Sequence, residues 1–140
     1  MNSKLLSYSF SAVLLGSLSL FSVASANDDA VIQHYGNVSY VSGGVGSESI
    51  DRLNSLVSDF NLKLVFALNN GEYVSGVRVV IADMKGKTVV DTTSEGPWFL
   101  ASLPMGSYQI VATLADKAVK RQVAVGSSKI RTVDFRWSAE

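Results

Sequence analysis

The sequence predicts a mainly β protein: a seven-stranded antiparallel Greek-key β-sandwich preceded by one short amphipathic helix. Three observations predict it. From Asn61 onward, apolar residues recur in short runs at a period of two. Each run is flanked by Gly, Pro or Asn turn signals. No helix-length segment lies between the runs, which argues against a parallel α/β sheet.

Residues 1–26 are expected to be a secretory signal peptide. Lys4 precedes the apolar stretch AVLLGSLSLFSVA, and the small residues Ala24 and Ala26 stand just before the charged NDD, so cleavage is expected after Ala26. The apolar run is short of the roughly 20 residues that cross a bilayer and is diluted by Ser and Gly, so no membrane span is expected after cleavage. The chain has no cysteine, which rules out an N-terminal lipidated Cys. A secreted domain built without disulfides points to a bacterial periplasm. The expected location is therefore periplasmic or secreted.

Residues 27–46 read as a polar lead-in and a Gly-rich loop, with NVSYV (37–41) as a short strand. Residues 47–60 read as the helix: Ile50, Leu53, Val57 and Phe60 follow spacings of three, four and three and form one apolar stripe, with Leu56 beside them. Ser47 is expected to cap this helix, with Glu48 at its positive end. Residues 61–138 form the sandwich. Its strands are read at 62–68, 73–83, 88–93, 98–103, 107–116, 117–125 and 130–137.

Within this region GEYVSGVRVVIADMKGKTVVDTTSEGPWFLASLPMGSYQIVATL, residues 71–114, resembles the carboxypeptidase regulatory-like domain, a transthyretin-like (prealbumin-like) sandwich. The matching pieces are Gly76-Val77-Arg78-Val79, Gly96 with Phe99, and Leu103-Pro104-Met105-Gly106-Ser107-Tyr108. Pro104 presets a turn, Gly106 tolerates a positive φ, and Tyr108 is expected to start a strand with its ring inward. The resemblance covers about residues 60–137 and implies fold more than function, since such sandwiches serve as accessory, adhesion, carrier and regulatory modules. The transthyretin-like hydroxyisourate hydrolases use several histidines and a C-terminal Tyr-Arg-Gly-Ser. This chain has one histidine and ends DFRWSAE, so that activity is not implied.

Twelve basic and twelve acidic side chains give no electrostatic footprint for nucleic acid. The stretch YVSGGVGSESID (40–51) has the outline of a phosphate loop, but Ser47 and Glu48 stand where a Walker loop needs Lys and Ser/Thr, so no nucleotide or other cofactor is expected. Its glycines Gly43, Gly44 and Gly46 serve as a flexible joint and helix lead, or as a partner or anion site. With one imidazole, His34, and no cysteine, neither a metal centre nor a catalytic residue is expected. Asp83 and Asp116 sit in turns with no calcium-ligand spacing. Tyr35 and Tyr40 are expected to cover a sheet edge, and Trp137 to lie in the core.

The expected function is a non-enzymatic exported interaction module that binds another envelope protein through Gly43, Gly44, Gly46, Ser47, Leu53, Val57 and Trp98. The alternative is a small-ligand or glycan binder that uses Trp98 and adjacent loops. Self-assembly through edge strands is a third reading. Partner identity and oligomeric state are not encoded in any motif here.

Overall fold

The computed structural model describes residues 29–127 and 129–139. The expected signal peptide at residues 1–26 lies outside them.

The described chain is mainly β, with nine strands rather than seven. They are β1 (Gln33–Tyr35), β2 (Val38–Gly43), β3 (Leu62–Leu68), β4 (Arg78–Asp83), β5 (Thr88–Thr93), β6 (Trp98–Ser102), β7 (Gly106–Leu114), β8 (Lys117–Val125) and β9 (Arg131–Trp137). One helix, α1 (Ser47–Leu56), is followed by a 3-10 turn (Val57–Asp59), so the helical segment expected over 47–60 changes pitch before its end. The seven strands expected after residue 61 are all present. Of the two strands before residue 61, β2 falls where NVSYV was read as a short strand and β1 was not expected; their hairpin turns through Gly36 and Asn37.

A five-stranded sheet runs β1-β2-β6-β3-β9 and a four-stranded sheet runs β5-β4-β7-β8. Neighbours pair antiparallel except β3 and β9, which pair in parallel from Leu62↔Arg131 to Leu68↔Trp137. The expectation of a wholly antiparallel fold is corrected here. Two adjacent strands far apart in sequence carry no local turn to set their direction, so periodicity alone cannot reveal it.

The two sheets share one core. Leu64, Phe66, Phe99, Phe135 and Trp137 from the larger sheet meet Val79, Ile81, Val90, Ile110 and Val123 from the smaller. Phe66, Phe99 and Phe135 are wholly buried, and Phe66, Phe135 and Trp137 lie within 5.7–6.4 Å of one another by ring centroid. Tyr108 packs its ring into this core and donates its hydroxyl to the Pro104 carbonyl at 2.6 Å, tying β7 to the turn before it. Burial and the nearby Asp83 carboxylate both raise the Tyr108 pKa, so the hydroxyl stays a donor. At one flank β9 closes on β8: Trp137 Nε1 donates to Lys117 O (2.9 Å) and Arg131 Nη1 to Ala124 O (3.1 Å).

Three sequence expectations shift locally. Residues 73–77 are irregular, touching β3 only through an Ala67–Tyr73 bridge, so β4 begins at Arg78 and not at 73. Between β7 and β8 the chain reverses through Ala115 and Asp116, at φ 49° and 69°, without a glycine to signal the turn. The third is the helix cap. Gly46 is the N-cap and makes no side-chain cap, so Ser47 is the first helical residue and stays exposed.

Candidate functional site

Of the residues expected to form a partner surface, Gly43, Gly44 and Leu53 are buried, Val57 and Trp98 are half-buried, and Gly46 and Ser47 are exposed. Helix α1 lies on the outer face of the five-stranded sheet. There Leu53, Val41, Leu100, Phe60 and Ala30 form a second small core, with Leu56, Val57, Trp98 and Ile130 at its margin. Leu53 is 0% exposed and Phe60 is buried beside it, while Ile50, Leu56 and Val57 of the same stripe are half-buried. Glu48, Asp51, Arg52, Asn54 and Ser55 make up the solvent side of the helix.

The Gly-rich loop is equally internal. Gly43 and Gly44 are buried, and only Val45 and Gly46 reach solvent. Ser49, on the buried side of α1, accepts the Gly44 N–H at 2.8 Å and donates to Asp29 Oδ1 at 3.1 Å. Ala30 N donates to Ser42 O at 2.7 Å, Arg52 Nε to Ala30 O at 2.8 Å, and Glu95 N to Ser42 Oγ at 2.8 Å. Four short segments, 29–30, 42–44, 49–52 and the turn at Glu95, are thus laced together around the loop. Glycine is required by closeness: a Cβ on Gly43 would run into Asp29 Oδ1 and lie 2.7 Å from Ser49 Oγ, and one on Gly96 would run into the Gly43 carbonyl. The loop that resembled a phosphate cradle is a packing joint. Its amide at Gly44 already has a partner.

Trp98 starts β6 opposite Gly43 and Val65 and is half-buried. Pro97 and Trp98 press on Gly44, whose added Cβ would sit 3.3 Å from Trp98 Cγ. Lys63 Nζ lies 3.7 Å from the indole centroid. Desolvation lowers the Lys63 pKa while Asp134 pulls it back up. The ammonium thus covers one face of the indole.

A different place offers an open surface. At the end of the sandwich carrying the β1–β2, β4–β5 and β6–β7 turns, a cleft of about 360 Å³ opens between the sheets, lined by Tyr35, Val38, Lys87, Thr88, Val89 and Pro104. Two exposed methionines stand on the bordering turns, Met84 (57% exposed) and Met105 (70%). Asp83 holds the β4–β5 turn, its Oδ1 accepting the Lys85 and Lys87 N–H groups at 2.9 Å each. Those bonds, the Lys87 amide first, lower its pKa. Sequence reasoning missed this end because Tyr35 and Pro104 were read separately, as an edge cover and a turn former. Only the strand order brings them together.

His34 lies exposed on β1 with Nδ1 3.3 Å from Ser39 Oγ across the hairpin. Among the described residues no cluster of three His, Cys, Asp or Glu side chains is placed to hold a metal ion. No helix among them is long and apolar enough to cross a membrane. No protein-family model matches the chain, and no curated protein matches it either.

Proposed function

We propose that this chain is a non-enzymatic exported module of a bacterial envelope that binds another envelope protein, and that the turn-bearing end of the sandwich is its contact surface. One observation carries the location. Tyr35, Met84 and Met105, three of the large apolar side chains left in solvent, belong to segments bordering one cleft, while Leu53 and Phe60 of the helix stripe are turned inward. Exposed apolar groups gathered at one place mark an interaction site more often than scattered ones. Methionine's flexible thioether suits adaptable contact surfaces. The signal-like residues 1–26 and the absence of cysteine support export into a periplasm.

The same reading takes the sandwich as a Greek-key domain akin to the carboxypeptidase regulatory-like, transthyretin-like group. Its support is positional: Val77, Val79 and Phe99 from the quoted motifs are wholly buried, and Tyr108 bonds back to Pro104.

In-cell photo-crosslinking tests the function. A crosslinking side chain is placed at Met105, at Asn54 on the helix, or at Lys120 on the smaller sheet, in the tagged full-length protein. One dominant envelope partner captured from Met105 and not from the other two is the expected result. Adducts from Asn54 or Lys120 alone overturn the location, and no adduct above background from any position overturns the function.

A further inference from the structure

The cleft is a place where the core itself reaches solvent. β1 pairs Tyr35 with Val38, so Tyr35 stands on the core face of the hairpin, yet it is 38% exposed while Val38 is 6% exposed. Across the cleft β5 is bulged: Ile81 pairs with Val90 and Ala82 with Thr88, which leaves Val89 as the extra residue. A bulge bends its strand, and this one lies at the start of β5, on the wall of the cleft opposite Tyr35. Further along, Tyr40 Oη bonds Thr92 Oγ1 at 3.2 Å and the sheets are held together. The flank is therefore a wedge, shut near Thr92 and open near Tyr35. Val38 belongs to the main core and Val89 packs against it, so a side chain entering the wedge extends that core. Lys87 lines the cleft and Lys85 is on the same turn; Asp83, which accepts their backbone amides through Oδ1, also feels the charge of both lysines, so the turn keeps a net positive charge of two cations against one carboxylate.

Building on the proposed function, we infer that the wedge receives a segment of the partner protein carrying one large apolar side chain with a carboxylate within one or two residues of it. The apolar group inserts between Tyr35, Val38, Val89 and Pro104, and the carboxylate meets Lys87. The volume, about 360 Å³, is at the low end for binding pockets and suits a single anchor rather than an extended ligand. Buried anchors of this kind dominate interface energetics, and the cationic rim sets which anchor is accepted.

The probe is a phage-displayed random dodecapeptide library panned on the mature protein, followed by synthesis of the enriched sequence. Enriched peptides are expected to share a large apolar residue next to Asp or Glu and to shift the amide resonances of residues 35–38 and 87–89. Binding is expected to fall about tenfold in Tyr35→Ala and about tenfold in Lys87→Glu, a surface change that leaves the fold intact, and to be unchanged in Lys120→Glu. Failure to enrich such peptides, binding indifferent to Lys87→Glu, or resonance shifts confined elsewhere overturns the inference. So does sedimentation showing that a second copy of this chain fills the cleft. Crosslinking to an envelope protein from Met105 together with peptide failure leaves the functional reading standing without this anchor. Peptide binding without any cellular partner does the reverse.

Discussion

Leu53→Ala asks whether the helix belongs to the sandwich or waits for a partner. Leu53 is wholly buried among Val41, Leu100, Phe60 and Ala30. Truncating a buried leucine removes its transfer energy and leaves a cavity, at about 2–5 kcal/mol. This cluster is small and lies under a single helix, so it can partly collapse, and about 2–3 kcal/mol is expected. With a urea m-value of roughly 1–2 kcal/mol/M for a domain of this size, the midpoint should fall by about 1–3 M. A second observable separates two ways of losing that energy. α1 spans only Ser47–Leu56, and an isolated helix of that length is marginal in water. If the variant releases the helix alone, amide exchange accelerates throughout α1 while β3 and β7 stay protected, and the global midpoint shift shrinks. An unchanged midpoint together with unchanged α1 exchange would refute the packing argument, because it would mean that Leu53 contributes nothing where it sits.

Four further outcomes follow from the same geometry. Gly96→Ala should cost about 2–3 kcal/mol by urea denaturation, and Gly43→Ala less, because the first meets the Gly43 backbone and the second the movable ends of Asp29 and Ser49; the reverse order would contradict the joint as described. Tyr108→Phe removes the 2.6 Å bond to Pro104 O and should lower stability by about 1 kcal/mol with little change in the core. Replacing Ala115 with Asn and Asp116 with Gly places residues suited to positive φ in the β7–β8 turn and should raise stability by about 1 kcal/mol, read as a higher thermal midpoint. Asp83 has a folded pKa below its unfolded value, so its contribution is present above the unfolded pKa and is lost as pH falls through the folded one. An NMR titration should place its midpoint below that of an ordinary aspartate, with Lys85 and Lys87 amide exchange rising as it protonates.

The strands after Asn61 were legible because each buries one face against the opposite sheet, and burial on one face writes a period of two into the chain. The helix stripe was legible for the same reason, through a period of three to four. What stayed illegible was the direction in which these faces look. Leu53 carries the same pattern whether it packs on Leu100 or on another protein, since periodicity reports that a face is apolar and not what covers it. Ser47 and Ser49 both sit near the start of α1, and only the path of Asp29 and Gly44 decides that Ser49 turns inward. β1 was illegible because three residues are too few to establish any period.

The Gly-rich loop and the wedge are opposite answers to one packing problem. Where Gly43 approaches Gly96, missing side chains let two backbones close, and the Asp29–Ser49–Gly44 bonds lock that end of the sandwich. At the other end, the extra residue Val89 of β5 and the exposed Tyr35 of β1 line an open cleft between the sheets. Deleting Val89 would restore even pairing between β4 and β5 and draw the strand toward β1, at the cost of the cleft. That deletion would also remove the contact Val89 makes with the main core, while an exposed aromatic on a core face forgoes burial at about 25 cal/mol per Å². The bulge makes sense on a surface that something else completes.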